Sequence, residues 1–295
     1  MEWSKAKTIL IICFLVGNLI LGYQLYGDPR DHLEKDGEVL WAPGTEETSQ
    51  SLRKAFADLD IEVEVSIPED APRMYALSVE HDEPEVKDFK QAFFSSGEEV
   101  ENILVGGRLG GYRTEEAVLV LAGSGALRFQ RVDSVEEEDM DHEEVREVAE
   151  SFLDRPGLRP GSIQFDYKHL GEDIFSLFYT QFYRDTPIYG GGIVVNVKGG
   201  EVREYQRLWY RVTGYAGRLR QVMSATHAIS ENLMRIVKMI EESDAEKIVD
   251  INLGYYAGTK QQEEKWHAEP VWRIRLDDSS IIFINAFSGV IEWPK

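Results

Sequence analysis

The sequence predicts an α+β protein: an N-terminal transmembrane helix followed by an extracytoplasmic region of antiparallel sheets, each packed by helices. Three observations lead there. An uncharged run occupies Thr8–Tyr26. Segments of alternating hydrophobicity, punctuated by Gly, Pro and Asp, recur through the rest of the chain. Helical periodicity is confined to a few stretches, and runs of strands interrupted by single helices imply sheets with a helix on one face.

The first run reads TILIICFLVGNLILGYQLY, nineteen residues without a charge. At about 1.5 Å per residue, a helix of that length roughly spans a hydrocarbon core of about 30 Å. Lys5 and Lys7 precede it, whereas Asp28, Asp31, Glu34, Asp36 and Glu38 dominate its C-terminal flank. Basic flanks stay inside, so the expected orientation is a cytoplasmic N-terminus with the rest of the chain outside the cell membrane. Trp3 at the inner end and Tyr23 and Tyr26 at the outer end suit interfacial anchoring. Asn18 has two readings: a hydrogen bond to a partner helix, or a tolerated polar residue near the outer leaflet. Leu21–Gly27 is a poor signal-peptidase site, and Cys13 follows Ile11-Ile12 rather than the small residue a lipid-bearing Cys requires. A signal anchor over residues 1–26 is therefore expected.

Residues 27–48 lack periodicity and read as a juxtamembrane stalk, followed by an N-terminal α+β unit over 49–134. In that unit Leu52, Ala55, Phe56 and Leu59 have helical spacing, and Ile61–Ile67 alternates as a half-buried strand ended by Pro68. Met74–Val79 is a further strand, Val86–Phe93 a short helix, and Gly106–Gly111 a flexible loop. Ala117–Ala122 and Ala126–Val132 flank a Gly123-Ser124-Gly125 hairpin turn.

Two units of similar plan come next, over 135–215 and 216–295. In the first, an acidic stretch leads to an Asp141 cap, then Val145, Val148, Ala149, Phe152 and Leu153 on one helical face. Strands are expected at Ile163–Tyr167, Asp173–Tyr183, Pro187–Val197 and Glu201–Val212. In the second, Ser224 caps a helix running to Ile240, and strands are expected at Ile248–Tyr256, from Pro270, at Ile281–Asn285 and at Val290–Trp293. The shared order of elements suggests an internal duplication.

Composition narrows the function. With 32 Lys+Arg against 53 Asp+Glu the formal net charge is −21, which disfavours nucleic acid and anionic lipid as partners. A single Cys excludes an intramolecular disulfide framework and a Cys-rich zinc site. The six His are scattered and form no H-E-x-x-H pair. Gly106–Gly111 lacks the G-K-[ST] ending of a P-loop, and Gly123-Ser124-Gly125 is not a nucleophile elbow. Acidic Glu136–Asp141 does not follow the calcium-loop pattern. Arg203, Arg207 and Arg211 alternate with Tyr205 and Trp209, either as a basic-aromatic face or as an ordinary half-exposed strand. No catalytic, cofactor-binding or metal-ligating residue emerges, so the expectation is a non-enzyme without cofactors.

The opening Met1-Glu2-Trp3-Ser4-Lys5-Ala6-Lys7-Thr8-Ile9-Leu10-Ile11-Ile12 resembles the start of YycI proteins. Gln181-Phe182-Tyr183 with Pro187-Ile188-Tyr189-Gly190-Gly191 is similar to a segment shared by YycI and its relative YycH. Pro270-Val271-Trp272-Arg273 with Phe287-Ser288-Gly289 resembles the ending of PepSY-like domains. The resemblance implies two PepSY-like (YycH-like) repeats and a membrane-anchored regulator. Such a protein, with a YycH-type partner, binds and modulates the essential cell-wall sensor histidine kinase WalK (YycG). It transfers no catalytic residue. An alternative is a tethered PepSY-like peptidase inhibitor or pro-segment-like module; a wall hydrolase is a third, remote reading.

Overall fold

The computed structural model describes residues 44–122, 125–133, 140–171, 174–258 and 263–292. The predicted membrane segment, with Trp3, Asn18, Tyr23 and Tyr26, lies outside them. Among the described residues no helix is long and apolar enough to cross a membrane.

Helix α1 (Glu46–Ala57) begins inside the expected stalk over 27–48, because Thr45 caps it: its hydroxyl accepts from the Thr48 amide at 3.2 Å. Glu46 and Glu47 in the first turn favour the positive end of the dipole. Leu52 and Phe56 are the buried residues of the predicted stripe. The strand expected over Ile61–Ile67 shrinks to β1 (Glu62–Val63). The Arg53 guanidinium donates to the carbonyls of Val63 (2.8 Å) and Val65, engaging acceptors that a longer ladder would use. Strand β2 (Arg73–His81) extends the predicted Met74–Val79, and a 3-10 turn (Val86–Phe89) runs into the short α2 (Lys90–Phe93).

The flexible loop expected at Gly106–Gly111 is instead a hairpin of β3 (Glu101–Val105) and β4 (Arg108–Arg113). Gly106 and Gly107, at φ 57° and 79°, supply the left-handed conformations of a two-residue turn. Gly111 lies inside β4, where a Cβ would stand 2.3 Å from the Leu119 carbonyl oxygen. Strands β5 (Ala117–Leu121) and β6 (Leu127–Arg131) pair as predicted.

Asp141 caps α3 (His142–Leu153) in a full capping box with Glu144. Strands β7 (Ile163–Leu170), β8 (Phe175–Tyr183), β9 (Thr186–Lys198) and β10 (Glu201–Leu208) then pair successively antiparallel. The strand expected over Glu201–Val212 breaks at Trp209, and β11 (Tyr210–Gln221) leaves to pair with β2. The buried Gln181 amide holds that break: its Nε2 donates to the Tyr210 carbonyl at 2.6 Å and its Oε1 accepts from the Tyr210 amide at 3.1 Å. Ser224 caps α4 (Ala225–Glu241), which precedes β12 (Lys247–Tyr256), β13 (Lys265–Leu276), β14 (Ile281–Asn285) and β15 (Ile291–Glu292). Pro270 lies within β13 rather than at its start, where β13 exchanges β2 for β14 as neighbour. Its carbonyl accepts from Ala286 at 2.8 Å; its missing N–H falls on the same side, at the change of partner, and costs little.

The expected α+β arrangement of separate antiparallel sheets, each packed by helices, is corrected by this pairing. Strands dominate the described chain, and fifteen of them belong to one mixed sheet whose main path runs β11-β2-β13-β12-β9-β10-β6-β5-β4-β3. The join between its halves is parallel, Tyr255 and Tyr256 of β12 against Ile188 and Tyr189 of β9. Strand periodicity identified the pieces but not this long-range junction. One core gathers Val145, Ala149 and Leu153 of α3 against Leu177, Tyr179, Val195 and Tyr205. A second packs α1 and α4 against Trp272, Ile274 and Ile284.

Candidate functional site

Strand alternation sends Leu177, Tyr179, Ile193 and Val195 into the core beneath α3. The intervening Phe178, Thr180 and Val194 therefore face the other side, as Arg273 does between the core residues Trp272 and Ile274. On that face lies a cleft of about 670 Å³, lined by residues of both halves of the sheet, including Phe178, Val194, Leu208, Tyr189, Ile281 and Phe283. Tyr167 and Phe178 stack at 4.3 Å with nearly parallel rings.

A charged cluster borders the cleft. Arg273 is only 4% exposed. Its Nη2 donates to Asp166 Oδ1 at 2.9 Å and Asp250 Oδ2 at 2.6 Å, and its Nη1 also meets Asp166. The Thr180 hydroxyl donates to Asp166 at 2.6 Å, and the guanidinium lies over the Tyr189 ring, 4.6 Å from the centroid. Asp166 occupies the irregularity between Phe165 and Tyr167 in β7, a shift that re-aims a side chain. The same four residues, Asp166, Thr180, Tyr189 and Arg273, also line a second cavity of about 380 Å³. The cluster is thus a partition between two cavities.

Burial alone would lower the Arg273 pKa, but the hydrogen bond and charge of Asp166 more than offset it, so Arg273 stays protonated. Burial holds the Tyr189 phenol well above its ordinary value and pushes Tyr167 up to about 12, so both stay neutral near neutral pH. Glycines create the room. A Cβ on Gly254 would stand 2.5 Å from the Tyr189 ring, and one on Gly191 2.7 Å from the Tyr210 ring.

Asp166 and Asp250 stood out in no sequence motif, and Arg273 appeared only as the end of the Pro270-Val271-Trp272-Arg273 segment. Two arginines inside the apolar run Val271–Leu276 were the available signal. The basic-aromatic face is corrected. Tyr205 is fully buried and donates to the Leu158 carbonyl at 2.9 Å. Arg203 pairs with Asp133 at 3.1 Å and Arg207 with Asp82 at 2.6 Å, while Arg211 belongs to the next strand. Among the described residues no group of three or more His, Cys, Asp or Glu is placed to hold a metal ion.

Comparisons with known proteins give a match to a family by sequence and distant likenesses by structure. No curated protein matches the chain. The crystal structure of an uncharacterised protein from Eubacterium rectale ATCC 33656 is similar at TM-score 0.47 and 10% identity, covering 76% of this chain and 87% of that one. The C-terminal domain of Bacillus megaterium YpeB is similar at TM-score 0.36 and 9% identity, covering 86% of this chain and 99% of its own. The family model described as YycI protein matches residues 127–287, more than half of the chain, from β6 through the turn after β14. The chain belongs to the YycI family, which is associated with regulation of the WalK/YycG two-component system.

Proposed function

We propose that this protein is a non-catalytic regulator, held at the outer face of the cell membrane, that binds a WalK/YycG-type sensor histidine kinase together with a YycH-type protein. The family match over residues 127–287 carries the reading. The uncharged Thr8–Tyr26 run between Lys5/Lys7 and an acidic flank supports the location. Outside the membrane, an acidic chain meets its partners through apolar or locally neutralised surface, since its −21 net charge opposes contact with other acidic surfaces.

Co-purification of the full chain from native membranes tests the reading. The kinase and a YycH-type protein should be retained together, and kinase output should change when this chain is deleted. Deleting residues 1–26 should weaken retention. An unchanged complex and unchanged kinase output after that deletion would overturn the membrane-segment contribution. Absence of both partners from the intact complex would overturn the whole.

A further inference from the structure

We propose that the cleft on this sheet face binds an uncharged single-chain lipid of the monoacylglycerol type. Its acyl chain would lie on the sheet face and its oxygen-bearing head at Arg273 and Tyr189. The volume of about 670 Å³ lies within the range of small-molecule sites. Its walls include Phe178, Val194 and Ile281, all half-exposed to the cleft.

Two physical arguments select the ligand. The first concerns the body. The cleft lies on a face of the sheet, where β8 and β9 are each flanked by paired strands along most of their length. An extended peptide there would find few main-chain partners and would leave amide groups against apolar walls, a strong penalty. A hydrocarbon chain has no such groups to satisfy. The second argument concerns the head. Arg273 and Tyr189 are each 4% exposed, and among the described residues Arg273 Nε and the Tyr189 hydroxyl have no hydrogen-bond partner. Both can donate, which calls for acceptor oxygens. Asp166 and Asp250 already neutralise Arg273, and Arg128 and Arg207, which also line the cleft, are paired with Glu204 and Asp82, so no lining cation is left over for an anionic carboxylate and the open donors favour ester and hydroxyl oxygens.

The test uses the full chain in phosphatidylcholine nanodiscs with a photoactivatable monooleoylglycerol analogue, and mass spectrometry to locate adducts. Adducts are expected on the cleft-facing parts of β8 and β9, to be competed away by unlabelled monooleoylglycerol, and to exceed those from the matching oleate analogue. Val194→Trp, which fills the cleft, and Ile281→Glu, which charges its wall, should each weaken labelling about tenfold. Unchanged far-UV circular dichroism and melting would show that each variant is folded. Should Val194→Trp fail to fold, Ile281→Glu and the competition measurement decide. Adducts spread over the surface, equal labelling in the folded variants, or equal labelling of the cleft by oleate would overturn the proposal.

Discussion

Arg273 of β13 and Asp166 of β7 form a two-contact ion pair between the two helix-bearing halves of the sheet, with side chains only 4% and 12% exposed. Asp250 shares the same guanidinium. Arg273→Met therefore leaves two carboxylates facing each other, whereas Asp166→Asn leaves the Asp250 pair intact. Arg273→Met should destabilise the protein by about 3–5 kcal/mol, and Asp166→Asn by clearly less. Urea unfolding of the single and double variants checks the order. Equal losses would show that Asp250 does not share the charge.

Gln181 is 3% exposed and holds both backbone groups of Tyr210. Gln181→Leu should cost about 1–3 kcal/mol for each orphaned group. Gln181→Glu keeps an acceptor for the Tyr210 amide but loses the donor to its carbonyl. Hydrogen exchange at Tyr210 should thus accelerate strongly in the Leu variant and modestly in the Glu variant.

Gly217 shows backbone strain alone, and Gly192 adds a close approach to it. Gly192 has φ 141°, and a Cβ would stand 2.2 Å from the Tyr179 carbonyl oxygen. Gly217 has φ 67° and nothing within 4 Å of an added Cβ. Gly217→Ala should cost about 1 kcal/mol from its left-handed conformation alone. Gly192→Ala should cost substantially more, because the obstacle is backbone and β9 must shift. Thermal melts of the two variants give the comparison.

The Asp141 carboxyl titrates below the usual carboxylate range because the Glu144 amide, then the Glu143 amide, donates to it. Its contribution is present above the unfolded pKa of about 3.9 and is lost as the pH falls through the lower folded value. Asp141→Asn retains a capping oxygen without that titration. The melting-temperature difference between the two proteins should change in that acid window and stay flat around neutrality.

Local chemistry made much of the secondary structure legible. The stripes Leu52/Phe56 and Val145/Ala149/Phe152 mark α1 and α3, and Ser224 and Asp141 mark two helix starts. Periodicity could not reveal that β12 meets β9 through Tyr255 and Tyr256, residues far along the chain from Ile188 and Tyr189. Nor could it separate β10 from β11, since the break depends on a Gln181 side chain from β8. The charged cluster escaped for the same reason. Asp166, Asp250 and Arg273 are ordinary surface types one at a time, and only strand pairing brings them together under cover.

The placement of β2 has a consequence for biogenesis. This strand lies between β11 and β13, partners that come after it by more than a hundred residues. A chain made from its N-terminus holds β2 with both edges open until β11 has emerged, and with one edge open until β13 follows. The part of the sheet around β2 must therefore form late, in the slow regime expected of non-local pairing. Until then Met74, Leu77 and Val79 remain uncovered, a window in which premature association competes with folding.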